Sequence, residues 1–418
     1  MRFHQGGRAM GAAIERWTGI PLRQQWPAWM IGLGHGGTHW IIAVYYLMVP
    51  WLRQDLGISY TEAGLILTSF HLFSFIANFG SGAIVDLVGR RVFLQVIALV
   101  IGALALAAMK WANGFWSLFV LLAFIGATNN LWHPPAISYL SSAFPNKKGY
   151  ALSLHALGAS VGDAIAPLAA GFLLVWLGWR EASVVASIPV FVIALLLLLT
   201  LNARDKATND APGKAKLSGT DYLDGLKKLL KNRWVVALCV MSGFRTMTLM
   251  GLLMFLPLYL ADEMHLAPTA VGATLMAMQL GGLIATPLAG IWSDRSGRRP
   301  VVMAGFTGTT IVLAVITLLD NQMMLIVGVS ILGFALYAAR PVMHSWMMDI
   351  TPPHLSGSSM SLLFGTQSAF NFALPPLCGL IADTWGLTAV FYLLAGTILI
   401  ANLMVLAIPN SEPNSVKD

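Results

Sequence analysis

Apolar residues fill this chain in long blocks, each closed by charged residues, glycine or proline before the next begins. A helix crossing a bilayer needs about 20 mostly apolar residues, and the blocks meet that length twelve times. The first six helices are predicted over 28–50, 61–84, 92–110, 115–140, 150–176 and 182–202. The second six fall at 234–260, 268–292, 300–318, 322–347, 357–381 and 387–408. One long polar stretch, 203–233, separates the sets and carries Arg204, Lys206, Lys214, Lys216, Lys227, Lys228, Lys231 and Arg233. It predicts a linker with a short amphipathic helix near 222–230. The expected organisation is an N-terminal segment (1–27), a six-helix bundle (28–202), the linker (203–233), a second six-helix bundle (234–409) and a tail (410–418). The expected fold class is an all-α polytopic membrane protein.

Composition narrows the classes. Of 418 residues, 57% are hydrophobic and 10% charged, whereas a soluble domain carries roughly a quarter charged residues. A large soluble enzyme and a disordered chain are both excluded. Two cysteines cannot staple a secreted scaffold; Cys239 and Cys378 lie in predicted spans and read as small buried apolar groups. The net charge of +7 is explained by location. With the N-terminus inside, the cytoplasmic side receives Arg2, Arg8, Arg16, Arg23, Arg90, Arg91, Lys147, Lys148, the linker cations, Arg295, Arg298, Arg299 and Lys417. The other side keeps Arg53, Lys110 and Arg180. This asymmetry is the positive-inside pattern for an even number of spans, so both termini are expected to be cytoplasmic and no nucleic-acid partner is expected. The N-terminal segment, interrupted by Arg8, Glu15, Arg16 and Arg23, lacks the continuous apolar core of a signal peptide.

An internal repeat organises the rest. Gly82, Asp86 and Gly89 recur as Gly290, Asp294 and Gly297 at an offset of 208, and Pro167 and Gly171 as Pro375 and Gly379 at the same offset. Gly36, Pro50 and Gly126 recur as Gly243, Pro257 and Gly333 at 207. A constant offset across several helices makes two parallel halves. The repeated loops read Gly82-Ala-Ile-Val-Asp86-Leu-Val-Gly89-Arg90-Arg91 and Gly290-Ile-Trp-Ser-Asp294-Arg295-Ser-Gly297-Arg298-Arg299. The first glycine is expected to let helices approach, the second to permit a tight turn, and the aspartate either to satisfy helix-end donors or to pair with arginine in a cytoplasmic gate.

These loops resemble the signature of the major facilitator superfamily between helices 2 and 3 and its copy between helices 8 and 9. Helix 5, with Gly158, Gly162, Asp163, Pro167 and Gly171, is similar to the superfamily's antiporter motif. Asn129-Asn130-Leu-Trp132-His133-Pro134 in helix 4, the Gly149-to-Ser153 opening of helix 5 and Gly34-His35 in helix 1 resemble the fosmidomycin-resistance branch, where a Phe stands in place of Trp132. The resemblance implies twelve helices in two pseudo-symmetric bundles, in a bacterial inner (plasma) membrane, with proton-coupled drug export as the activity.

Ionisable groups inside a membrane are costly and rarely face lipid. Helices 1, 2, 4 and 5 contribute His35, His39, His71, His133, His155 and Asp163; helices 7, 10 and 11 contribute Arg245, Arg340, His344, Gln367 and Asn371. In the resembling fold, helices 1, 4, 7 and 10 line the cavity, so the expected substrate-binding set is His35, His39, Asn129, His133, Arg245, Arg340, His344, Gln367 and Asn371. Two readings of Arg245 and Arg340 stand open. An anionic substrate can complete them, or Asp163, Asp349 or backbone carbonyls already do. Asp163 and His39 are the expected proton carriers, with a structural hydrogen bond as the alternative for Asp163; His71 and His155 read as packing residues. His35 and His39 share i, i+4 spacing without a carboxylate, so no metal site is expected.

The sequence therefore predicts a secondary transporter, not an enzyme, that needs no cofactor. It is expected to be a monomer moving a small organic, anionic compound by alternating access, with protons as coupling ion and lipid as surroundings. The leading expectation is efflux. Proton-coupled uptake of an organic acid and a non-transporting receptor of the same fold are the alternatives.

Overall fold

The computed structural model describes residues 15, 18–207, 227, 229–319, 321–352 and 355–408, without side chains at 79, 80, 82, 83, 86, 87, 204, 206, 207, 356 and 357. Gly82 and Asp86 of the first gate motif are described by their backbone alone, and most of the N-terminal segment, the linker and the tail lie outside the described residues. Twelve long helices are present among those described. They are α1 (Leu22–Leu56), α2 (Tyr60–Val88), α3 (Arg91–Ala108), α4 (Phe115–Ala143), α5 (148–177), α6 (179–207), α7 (Arg233–Leu258), α8 (Pro268–Ser296), α9 (Arg298–Val315), α10 (Gln322–Ile350), α11 (Ser356–Trp385) and α12 (Leu387–Ala407).

Local chemistry sets several boundaries. Helices α5 and α6 form one hydrogen-bonded run from Lys148 to Ala207, broken where Gly178 adopts φ 72°, ψ 170°, a region open to glycine. Helix α2 opens on a capping box in which Ser59 and Glu62 satisfy each other's backbone N–H groups. Helix α1 starts at Leu22 rather than 28 and runs 35 residues. Eight helical segments, with α5 and α6 counted together, are apolar and long enough to cross a membrane. Helices α1 and α11 are long but more polar; α1 alone carries Gly34, His35, Gly36, Gly37, Thr38 and His39 in a row.

The halves meet through two symmetric pairs, α2 with α11 and α5 with α8. A methyl on Gly64 would lie 2.3 Å from the Pro375 carbonyl oxygen, and one on Gly272 would lie 2.4 Å from that of Pro167. In the return direction, Gly379 sits over the Tyr60 carbonyl (2.4 Å) and Gly171 over that of Pro268 (2.6 Å). Each contact is the other's copy at an offset of 208. All four lie toward the end of the molecule holding the α1–α2 and α7–α8 connections, opposite the end where the described chain starts and finishes. We call these the far and near ends.

Gly290 departs from its expected role, since a side chain there would meet nothing within 4 Å. The close helix contacts fall one or more turns away, at residues such as Gly281 and Gly282. Valine at Gly272 or Gly379 therefore forces the halves apart against backbone, an overpacking cost of about 1–3 kcal/mol, and is expected to lower the melting temperature of the purified protein. Gly290→Ala is expected to leave it unchanged. Thermal denaturation followed by fluorescence checks both.

Candidate functional site

In the first half, backbone contact between α1 and α5 positions the polar groups. A methyl on Gly158 would lie 1.8 Å from the Gly32 carbonyl oxygen, and one on Gly162 would lie 2.3 Å from that of Gly36. This four-residue ladder of glycines lets two helices touch along their backbones. It brings His39 of α1 to Asp163 of α5, Nδ1 to Oδ2 at 3.0 Å, with both side chains about a quarter exposed. One turn away, the His35 Nδ1–H donates to the His155 carbonyl at 2.7 Å, and the two rings stack at 3.8 Å. His133 of α4 packs edge-on against His35, with ring centroids 5.0 Å apart. His155 is thus part of the cluster rather than isolated packing. Trp132 is fully buried with its ring over Gly34, so it serves the core. Asn130 is tied to Ser74 of α2. Asn129 is half-buried, and His71 packs edge-on against Phe70 in α2.

The second half carries the cations. Arg245 of α7 is 3% exposed; its Nε and Nη2 donate to the Leu336 carbonyl of α10 at 3.3 and 3.1 Å. Its guanidinium carbon lies 5.8 Å from the centre of the Tyr337 ring. Arg340, one turn beyond Tyr337, is exposed and makes no hydrogen bond or ion pair among the described residues. The carboxylates that were candidate partners are engaged elsewhere: Asp163 by His39 and Asp349 by Arg298 at 2.9 Å. A single backbone carbonyl serves Arg245, and among the described residues no carboxylate pairs with Arg245 or Arg340. His344 packs edge-on to Phe364, Gln367 donates to Ser242, and Asn371 is half-buried with an unpartnered Oδ1.

The two clusters face each other across the boundary between the halves. A cavity of about 20 Å³, room for about one water, is lined by Ala43, Tyr46 and Asp163 from one side and Leu253, Met278 and Gln279 from the other. Gln279 lines this cavity opposite Asp163, and Tyr337 of α10 lies beside Arg245. Sequence reasoning missed Tyr337 and Gln279. The spacing of Tyr337 three residues before Arg340 was the available signal. A larger apolar cleft of about 370 Å³ along α1, α5 and α6 offers no polar group to orient a substrate.

The family model described as Major Facilitator Superfamily matches residues 31–259 and 238–418. The chain belongs to this superfamily. Among curated relatives, the phosphoglycerate transporter protein of Salmonella typhimurium strain LT2 is 23% identical over 85% of this chain and 82% of its own. The hexuronate transporter of Bacillus subtilis is 24% identical, covering 86% and 88%. The multidrug resistance protein MdtG of Dickeya zeae is 24% identical, covering 86% and 89%. These relatives differ in cargo and do not single out the fosmidomycin-resistance branch. Of solved structures, a bacterial homolog of the human lysosomal transporter Spinster has a TM-score of 0.78 at 17% identity, covering 93% and 96%. The nucleoside transporter NupG scores 0.69 at 13%, covering 91% and 98%. Likeness at such identities speaks to fold alone.

In this superfamily member, the polar bonds between the halves gather at the far end. Asp262, on a π-helical turn after α7, accepts from Arg53 Nη2 (2.7 Å), Gln54 Nε2 (2.7 Å) and the Tyr60 hydroxyl (2.8 Å). Asp383 of α11 accepts from the Tyr60 and Thr61 backbone N–H groups at 3.0 and 2.8 Å and from the Thr61 hydroxyl at 2.6 Å, a carboxylate on a helix N-terminus. The arginines of the gate motifs bond within their own halves. Arg298 binds Asp294 (2.5 Å), Asp349 (2.9 Å) and Ser293 (2.9 Å), and Arg299 donates to the Leu406 carbonyl; all of these are in the second half. Arg91 binds Asp205 (3.0 Å) and Ser142 (2.8 Å) within the first, Arg90 lies over Phe93, and Gly89 and Gly297 make the turns at φ 64° and 85°. These loops brace each half internally, because the arginines reach α4, α6, α10 and α12 of their own bundle.

Asp262 and Asp383 therefore hold the far end closed. Charge-assisted hydrogen bonds of this kind contribute about 1.5–3 kcal/mol each. Spin labels on Asn113 and Gln322, exposed at that end of opposite halves, are expected to separate in Asp262→Ala and Asp383→Ala. The longer-distance population should rise about tenfold, ~1.4 kcal/mol. Unchanged distance distributions in both variants contradict the assignment.

Proposed function

We propose that this protein is a proton-coupled transporter of a small organic anion in a bacterial inner membrane, with the anion held by Arg245 and Arg340 and the proton by the His39–Asp163 pair. The observation that carries this reading is that Arg245 is buried beside Tyr337, one turn from Arg340, and that neither cation has a carboxylate partner among the described residues. A carboxylate or phosphate supplies the missing charge and bidentate geometry. Relatives named for phosphoglycerate, hexuronate and tartrate transport handle cargo of that class. His344 and Gln367 from α10 and α11 flank the same site.

Charge logic favours co-transport. An anion bound beside Tyr337 and a proton bound at Asp163 attract each other, so each promotes binding of the other. Exchange in opposite directions requires instead that proton and cargo exclude one another. With the basic loops inside, the far end is the outer end, and its closure corresponds to an inward-facing state in the alternating-access cycle. Export remains a second reading, favoured by the helix 5 motif and by relatives named for multidrug resistance.

Purified protein in liposomes under an imposed pH gradient distinguishes these. Hexuronate or phosphoglycerate is expected to enter with protons, in the same direction. Arg245→Lys and Arg340→Lys keep the charge but lose the planar fork, so KM is expected to rise about 10–100-fold, the equivalent of losing one charged hydrogen bond. Asp163→Asn is expected to abolish gradient-driven accumulation while keeping anion exchange. Proton movement against the anion supports export, and unchanged KM in both lysine variants overturns the anion site.

A further inference from the structure

We propose that His35, His133 and His155 form a binding site for one Zn²⁺ ion inside the first bundle. Their ligand nitrogens all lie within 4.8 Å of one another, although the residues come from α1, α4 and α5. Two observations beyond proximity point to a metal. The His35 Nδ1–H is fixed by the His155 carbonyl at 2.7 Å, which leaves the lone pair on Nε2, and that Nε2 is buried with no partner. A histidine that donates one ring N–H to a carbonyl and offers the other nitrogen has the outer-shell arrangement usual for metal ligands. His155 Nδ1 is likewise buried and unpartnered, and buried polar atoms without partners call for an explanation.

The donor set selects the ion. Three neutral imidazoles and no thiolate suit a borderline ion such as zinc, while calcium and magnesium demand oxygen ligands. A tetrahedral site with Zn–N near 2.0–2.1 Å brings nitrogens to about 3.3 Å apart. The rings of His35 and His155 are stacked nearly parallel, so His155 has to turn about its side-chain bonds to aim a nitrogen at the shared ion. His133 is half-buried, which leaves an approach for the ion and a fourth position for water. His39, edge-on to His35 at 4.8 Å, links the site to Asp163, whose negative charge offsets part of the ion's.

The test uses the full-length protein in detergent with its affinity tag removed. Equilibrium dialysis against Zn²⁺ is expected to give one ion per chain, with affinity reduced at least tenfold in His133→Gln and in His155→Gln and unchanged in His71→Gln. Co²⁺ added to the unaltered protein is expected to show the strong visible bands of a four-coordinate nitrogen site, a readout that does not depend on any variant folding. Absence of a stoichiometric ion, absence of those bands, or Zn²⁺ affinity in both cluster variants equal to that of the unaltered protein overturns the site. Because binding is read without transport, the outcome is independent of the substrate and coupling reading.

Discussion

The backbone contact between α1 and α5 is the constraint on which the polar centre of this transporter depends. Gly32 and Gly36 on one helix meet Gly158 and Gly162 on the other so closely that no side chain fits between them. Only at that separation can a residue as short as Asp163 reach His39, and only there do His35 and His155 stack. The same four-residue spacing that strips side chains from the seam places the histidines and the aspartate beside it, because positions three and four apart share a helix face.

The second half repeats the fold and changes the chemistry. Gly243 occupies the place of Gly36, but Phe370 occupies that of Gly162, and its ring fills the gap between α7 and α11. That seam is wider and holds no ionisable pair. Its polar content moves to α7 and α10, where Arg245 and Arg340 lack a carboxylate partner. In the proposed function, the first half holds the proton and the second the negative charge, and Gln279 and Asp163 line the small cavity between them. At the far end, Asp262 and Asp383 add polar bonds on the α2–α11 side, whereas the α5–α8 side closes by backbone contact alone.

Helix number, the two-fold repeat and the superfamily were legible because they are written in periodicity and spacing: apolar blocks of spanning length, and Gly, Asp and Pro landmarks at a constant offset. Arg245, Arg340, His39 and Asp163 were legible because charge is scarce in a membrane segment. The His35–His133–His155 cluster was not, since its members sit on three helices and no spacing within one helix reveals them. Nor were Asp262 and Asp383, which look like ordinary loop and helix-end acids until the fold sets them against Arg53 and the start of α2. The close approach expected at Gly290 is not found there, while the expected Asp294–Arg298 pair forms within the second half. Sequence shows that a motif recurs, but whether its arginine reaches the opposite bundle or its own depends on packing.

The central claim is that a bound anion and a bound proton assist each other across the boundary between the halves. The most direct measurement is the Kd of an anion that stays ionised at every pH used, such as an alkyl sulfonate, on purified protein across the neutral range. Binding should tighten as pH falls in the unaltered protein. In the double variant His39→Gln, Asp163→Asn, which leaves no ionisable group at the pair, it should stay tight and nearly independent of pH. Equal pH dependence in the two proteins, or binding that weakens as protons are added, would contradict the account.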